Sequence, residues 1–367
     1  MRSHFISRFL QYIPYSLGAL TLGIAIADAR PSHAFSFLLN SFSTPRITHQ
    51  IGYDGTGGHY TIDVGIDSSS VFAQEMIVAT QNVIETWNNL TPTTGNLDFT
   101  ELNNNQMDFE SVLLHELGHS LGLAHPNLAS ESRVGRNKRD YTKSGTGANG
   151  SFDLNSGADG IIGSADDLRG DDDNKNFFRI ADNDPFTTNL GVVDSTTYTR
   201  DIALLPSGDN YSANADRDVG AALGYANTES VMQQGAFFGE TQRELGADDV
   251  AGILYSMSGF DEIAGTDDDY TFELNFVGLT DTADILLAFD NSETSFAESQ
   301  NSATENLGMN NETGNEHRGI TRSSIFFNSN YDWFFPEEEP QNIPEPSSLI
   351  GLFAIGLGGF LLRRKQG

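Results

Sequence analysis

Three histidines and one glutamate within eleven consecutive residues are the part of the chain best suited to chemistry. Residues 115–125 read His-Glu-Leu-Gly-His-Ser-Leu-Gly-Leu-Ala-His. In a helix, His115 and His119 lie one turn apart on one face, so both imidazoles can bind one metal ion at about 2.0–2.1 Å. Gly122 can adopt a positive φ without steric cost, and the turned chain can then bring His125 to the same ion. The spacing predicts a three-histidine zinc site with an open fourth position for water.

The alternative is an ordinary helix in which these histidines are core or surface residues. Adding the third histidine and the glycine makes coincidence rare, because this composition gives about two chance matches in a hundred thousand. The preceding residues also favour a helix: Asp108 suits an N-cap, and an apolar face follows at helical spacing. That face comprises Val112, Leu113, Leu117 and Leu121. The helix can therefore carry a metal face and a core face together.

Glu116 is the predicted catalytic residue, because it lies between the two helical histidines and beside the expected water. Three neutral imidazoles leave zinc its full double charge, which lowers the pKa of bound water towards about 7 and polarises a substrate carbonyl. Glu116 would take the proton of that zinc-bound water and deliver it to the leaving amine. A purely structural zinc site has no use for such a base.

The motif resembles the HExxHxxGxxH zinc consensus of the metzincin metallopeptidases, and DFESVLLHELGHSLGLAH is most similar to the matrixin-like branch. The resemblance implies an α+β catalytic domain with a twisted mixed sheet, an active-site helix, a Met-turn and a C-terminal helix. It also implies a zinc-dependent endopeptidase that hydrolyses peptide bonds in proteins. Met232, within Ser-Val-Met-Gln, is the Met-turn candidate, and ELGADDVAGILYSM resembles the helix that follows the turn. The alternative is that Met232 is an ordinary core methionine.

Two elements are predicted before the zinc helix. Residues 59–67 alternate like a strand, and metzincins use an edge strand to bind extended substrate by β-addition. Residues 71–88 have helical periodicity. Their expected core residues are Ala73, Ile77, Val83, Ile84 and Trp87. Strand, helix and zinc helix in this order fit an α/β amino-terminal subdomain.

An insertion is predicted at 127–228, because 106 residues separate His125 from Met232 whereas matrixins have a short connection here. We expect part of it to cap the substrate cleft. Its segment 133–143 concentrates five basic residues directly after the zinc motif. A solvated loop is the plain interpretation of this segment, and an autolytic or regulatory cleavage site is the sharper one.

Both ends of the chain carry export signals. Residues 1–34 have early arginines, an apolar stretch and a small-x-small site, which predicts a signal peptide cleaved after Ala34. A retained anchor is the alternative, but Pro14 and Gly18 break the short apolar stretch. At the other end, a linker at 336–346 containing Pro-Glu-Pro precedes an apolar segment and basic tail at 347–367.

This carboxyl-terminal arrangement resembles the PEP-CTERM sorting signal of Gram-negative bacteria, which implies cleavage by a sorting protease after export. A plain hydrophobic tail anchor is the alternative. Either interpretation places the bulk of the chain at the cell surface, in the outer envelope or outside the cell. We therefore expect signal peptidase and a sorting protease as processing partners, and a protein or peptide as substrate.

Charge and cysteine content restrict the function further. The chain has 51 acidic and 20 basic residues. The two terminal signals together carry two of the acidic and six of the basic residues, so the mature part has a net charge near −35. Such a chain is poorly suited to nucleic acid or anionic membrane and well suited to cations. It has no cysteine, so neither disulfides nor a cysteine switch is available.

Calcium is the predicted second cofactor, because oxygen ligands recur among glycines after the zinc motif. The candidate ligands are Asp153, Asn155, Asp159, Asp166 and Asp167. A related sequence, DEIAGTDDD, returns at 261–269, although neither segment has the EF-hand spacing. The alternative is that these are solvated surface turns.

The sequence thus predicts a catalytic domain at 35–258 and a small β-rich region at 259–335. In the latter, 270–279 and 283–291 alternate like paired strands, 323–329 adds a third, and the polar stretch 291–320 is expected to be a long loop. The predicted function is an exported zinc endopeptidase. The alternative is a calcium-binding surface or matrix protein with a non-catalytic metzincin core.

Overall fold

A computed structural model describes nine segments of the chain: residues 34–39, 45–126, 176–180, 186–201, 204, 217–222, 224–233, 238–290 and 295–336. Three predicted features lie outside these residues: the signal peptide apart from Ala34, the calcium candidates at 153–167 and the carboxyl-terminal segment 347–367. In the described segments, no helix is both long enough and apolar enough to cross a bilayer.

Four helices lie in the described segments: α1 Met76–Asn89, α2 Phe109–Ser120, α3 Arg217–Ala222 and α4 Ala247–Met257. Helix α1 covers most of the predicted helix at 71–88, but it begins later because Phe72 has a positive φ of 60°. Helix α2 begins as predicted, since the Asp108 carboxylate accepts a hydrogen bond from the Ser111 N–H at 3.0 Å. All four of its predicted apolar residues are buried.

The described strands are β1 Ala34–Phe37, β2 Arg46–His49, β3 Gly58–Asp67, β4 Met107–Asp108, β5 Leu123–Ala124, β6 Phe177–Arg179, β7 Tyr198–Thr199, β8 Tyr270–Thr280, β9 Ile285–Phe289, β10 Ala297–Met309, β11 Glu316–Phe327 and β12 Trp333–Phe334. The main sheet has the order β10-β11-β9-β3-β8, and β2 also pairs with β11. Only the β10/β11 pair is antiparallel, so the sheet is mixed. This agrees with the predicted α+β class.

The strands after residue 259 do not form a region of their own. Strand β8 pairs with β3 along its whole length, and β9 lies between β3 and β11. The predicted pairing of β8 with β9 is therefore wrong, because each finds its partner in the amino-terminal part of the chain. The β-rich region at 259–335 instead completes the sheet that packs on α1 and α2.

Two further predictions about strands are wrong. Residues 297–309, expected to be loop, form β10, the strand at one edge of the sheet. Its polar sequence fits that position, because edge strands commonly carry polar and charged side chains that discourage unwanted pairing. Conversely, residues 59–67 were expected to bind substrate as an edge strand, but β3 has β8 on one side and β9 on the other.

A second, smaller sheet has the order β5-β1-β6-β7. It contains two of the described pieces of the predicted insertion, β6 and β7. Phe177 of β6 stacks on Phe35 of β1 with ring centroids 5.6 Å apart. The Tyr255 ring of α4 packs against Phe177 at 4.9 Å. At least this piece of segment 127–228 therefore joins the core of the domain.

Candidate metal centre

The three histidines of the motif converge on one point. The Nε2 atom of His125 lies 2.9 Å from Nε2 of His115 and 3.1 Å from Nε2 of His119. Both helical histidines use their other ring nitrogen as a donor: His115 Nδ1–H donates to the Val231 carbonyl at 2.6 Å, and His119 Nδ1–H donates to the Leu123 carbonyl at 2.8 Å. These bonds select the tautomer that leaves Nε2 as a lone pair.

This donor set fits a zinc ion. The Nε2 lone pairs of His115 and His119 both face Nε2 of His125, a convergence that a cation between the three nitrogens would stabilise, and burial lowers the pKa of His119, which favours its neutral ring. Tetrahedral zinc with Zn–N of 2.0–2.1 Å would hold the nitrogens about 3.3 Å apart. The three histidines are also the one metal-ligating group of three or more found among the described residues.

The exit of α2 explains how His125 reaches this point. Gly122 has a φ of 99°, and a Cβ there would lie 2.6 Å from the Thr48 carbonyl oxygen of β2. Only glycine fits this close and left-handed backbone. In addition, the Gln50 Nε2 group donates to the Leu121 carbonyl at 2.7 Å. The segment after β2 therefore fixes the turn that carries the third histidine.

Met232 lies directly beneath the metal-binding helix. It is 2 % exposed, and a Cβ on Gly118 would lie well inside van der Waals distance of the Met232 sulfur. The same hypothetical Cβ would lie 3.1 Å from the Trp87 ring. The neighbouring Val231 supplies the carbonyl that orients His115. Met232 therefore packs against the helix that carries His115 and His119, and its assignment to a Met-turn stays a prediction.

Asp249 holds this turn in place, and the sequence analysis missed it. Its buried carboxylate accepts hydrogen bonds from the N–H groups of Val231 at 2.8 Å and Met232 at 2.9 Å, and from the Ser230 hydroxyl. It also accepts from the Gly246 N–H at 2.8 Å, at the start of α4. Burial raises its pKa and these hydrogen bonds lower it. Its place in the first turn of α4 was a signal, because acidic residues there can cap both the helix and nearby N–H groups.

Glu116 lies against strand β10. The pKa of its carboxyl is raised to about 8: burial is the largest cause, the negative charge of Glu298 also raises it, and the Ser299 N–H lowers it. A bound zinc ion would act in the opposite direction, because a nearby positive charge favours the carboxylate. Glu298 and Ser299 were missed in the sequence because they lie more than 180 residues after Glu116 and no local pattern marks them.

The calcium candidates Asp153, Asn155, Asp159, Asp166 and Asp167 lie outside the described residues. The related segment 261–269 is described, and its carboxylates bind its own backbone. Asp268 accepts hydrogen bonds from the N–H groups of Phe260 and Asp261, and Asp269 accepts one from the Gly265 N–H. This segment is thus a turn stabilised by aspartates, and calcium binding at 153–167 stays a prediction.

Comparison with known proteins supports both resemblances. Residues 46–132 match the family model described as matrixin, and this segment contains α1, α2 and the three histidines. Residues 342–365 match the PEP-CTERM protein-sorting motif. A search of curated proteins and a search of solved structures gave no significant match. Together the two matches indicate an exported metallopeptidase.

Proposed function

We propose that the chain is an exported zinc endopeptidase in which His115, His119 and His125 hold the metal and Glu116 is the general base. The observation that carries this proposal is the convergence of the three histidines, in which His125 Nε2 lies within 3.1 Å of Nε2 of both His115 and His119, next to the buried carboxyl of Glu116. Zinc, when bound there, would act as a Lewis acid on the scissile carbonyl and on water.

The protein's own groups have distinct tasks in this mechanism. Glu116 accepts a proton from the attacking water and passes it to the leaving amine. The Ser299 N–H lies on the side of this carboxyl and lowers its pKa, which favours the carboxylate that acts as a base. The carbonyls of Val231 and Leu123 hold His115 and His119 in the tautomer that presents Nε2.

Strand β10 is the proposed binding edge for an extended substrate. It lies at the end of the main sheet, and among the described residues no strand pairs with its outer edge. It also touches the active-site helix, since Asn301 Nδ2 donates to the His119 carbonyl at 3.1 Å and the hydroxyls of Ser120 and Ser299 are 3.0 Å apart. A peptide added to this edge would pass close to Glu116.

The test uses mature protein loaded with zinc and incubated with a mixed peptide library. We expect one zinc ion per chain and cleavage of peptide bonds. Glu116→Gln should keep the zinc ion and lose about 10²–10⁴-fold in kcat/KM, the usual contribution of a general base. Glu85→Gln, the same change at an exposed position of α1, should leave both unchanged.

Two outcomes would contradict the proposal. Equal cleavage by the parent and by Glu116→Gln would show that Glu116 is not the base. No cleavage by either protein, with zinc bound to both, would favour the non-catalytic metzincin core. Processing is tested separately: we expect the secreted protein to begin after Ala34 and to end near the Pro-Glu-Pro motif, as read by mass spectrometry.

A further inference from the structure

A second carboxylate lies at the active site, on the proposed substrate-binding strand. Glu298 is exposed, and its negative charge acts on the buried carboxyl of Glu116. The side chain of Ser299, the next residue, contacts the Ser120 hydroxyl of the metal-binding helix at 3.0 Å, and its backbone N–H lowers the pKa of the nearby Glu116 carboxyl. This contact fixes β10 beside the catalytic part of α2, and because successive side chains of a strand point to opposite faces, the exposed Glu298 carboxylate lies on the face of β10 turned away from α2.

Strand pairing gives this position a defined neighbour. Glu298 pairs with Phe326 of β11 on the inner side of β10. A substrate added to the outer side would place one of its residues opposite Glu298, with Cβ atoms about 4.5–5.5 Å apart. Because Ser299 contacts Ser120, one helical turn after Glu116, the backbone of that substrate residue would lie close to the scissile bond. Oppositely charged pairs across two strands are favourable, and like charges directly opposite are unfavourable.

The chain as a whole adds a second reason. Its formal net charge is −31, so cationic peptides are attracted and acidic peptides repelled before they reach the cleft. That general attraction does not select a position in the peptide. A single carboxylate fixed beside the reacting bond selects one position in the peptide.

We propose that Glu298 is a specificity-determining residue that selects substrates with Lys or Arg next to the scissile bond. This inference rests on the proposed peptidase function and names the substrate class of the same site. Glu305 is an internal reference, because it is an exposed glutamate on the same strand, seven residues or about 23 Å further along. The two residues share charge and strand but differ in distance from Glu116.

The experiment first maps cleavage sites in a random peptide library by mass spectrometry. One cleaved peptide is then made with Lys, Gln or Glu at the position where basic residues are enriched. We expect kcat/KM for the Lys peptide to exceed that for the Gln peptide about 5-fold, and the Glu peptide to be slowest. Glu298→Gln should reduce the Lys to Gln ratio to about 1, and Glu305→Gln should leave it unchanged. High salt should weaken the preference in the parent.

Three results would overturn the inference: no basic enrichment, an unchanged ratio in Glu298→Gln, or an equal loss of preference in both variants. The last would assign the preference to net charge alone. If the parent cleaves no peptide, the peptidase proposal itself fails. Glu298 can then still be tested by measuring the binding of the Lys and Gln peptides to zinc-loaded protein by fluorescence anisotropy. A binding preference for the Lys peptide that depends on this carboxylate must disappear in Glu298→Gln, and this measurement requires no cleavage.

Discussion

At the scale of single residues, the metal centre depends on close fits that involve very small side chains. Gly118 lies on α2 between His115 and His119, and it has no room for a methyl group beside Met232 and Trp87. Gly122 lies equally close to the Thr48 carbonyl. These glycines allow the metal-binding helix to approach the turn beneath it and β2 beyond its exit.

The fit at Gly118 predicts coupled mutations. Gly118→Ala should destabilise the protein by about 1–3 kcal/mol through overpacking. Met232→Ala should cost about 2–5 kcal/mol through the cavity it leaves. Combined, they should cost less than the sum, by about 0.5–3 kcal/mol, because the new methyl group enters the space vacated by the sulfur. Denaturant unfolding of the metal-free proteins measures this difference, and strict additivity would show that the two residues are not in contact.

At the scale of elements, β2 and the residue after it connect the metal helix to a buried polar network. Gln50 donates to Leu121, and Tyr270 donates to the Gln50 side-chain oxygen. His49 Nδ1 lies 3.1 Å from the Tyr270 hydroxyl, and its Nε2 lies 2.8 Å from Nδ1 of His317. Burial lowers the pKa of His49 well below its usual value, and the charge of His317 lowers it further. His49 is therefore neutral in the folded protein.

This network predicts a loss of stability in acid. Because the pKa of His49 is depressed on folding, the unfolded chain takes up a proton as pH falls below about 6.5 while the folded protein does not. The free energy of unfolding of the metal-free protein should therefore decrease from about pH 6.5 downwards. In His49→Gln the dependence should be shallower by as much as one proton, whereas the histidines outside the His49–His317 pair contribute equally to both proteins. Identical slopes for the two would contradict this assignment.

At the scale of the whole molecule, the sheet is built from both sides of the metal-binding motif. Strands β2 and β3 precede the motif in sequence, whereas β8 to β11 follow it by more than 140 residues. The later strands contribute much of the core that packs on the helices. Their buried apolar residues are Leu274, Ile285, Leu287, Ala297, Ile320, Ile325 and Phe327.

Truncation should therefore abolish folding. A chain of residues 35–258 lacks these strands. Burial of each of their large apolar side chains contributes about 1.5–3 kcal/mol to the free energy of folding. Without them, we expect no cooperative thermal transition and no tight zinc binding. A chain of residues 35–336 should keep both. Circular dichroism melting and zinc titration measure the two properties. Cooperative unfolding of the shorter chain with one bound zinc would show that the strands after 259 are dispensable.

The sequence by itself determined the features that depend on neighbours along the chain. The metal-binding helix, its Asp108 cap, its apolar face and the glycine at its exit follow from local spacing and backbone preference. The carboxyl-terminal sorting motif is an equally local pattern, and the matches to matrixin and to the sorting motif confirm both resemblances.

Only the tertiary structure decided which strands meet and which one lies at the edge. Strand pairing is non-local: β8 finds β3 more than 200 residues away, and polar β10 becomes a strand because β11 pairs with it. The same is true of Asp249 beneath the turn and of Glu298 beside Glu116. Local patterns carry no information on such contacts, because their stability comes from partners that the fold brings together.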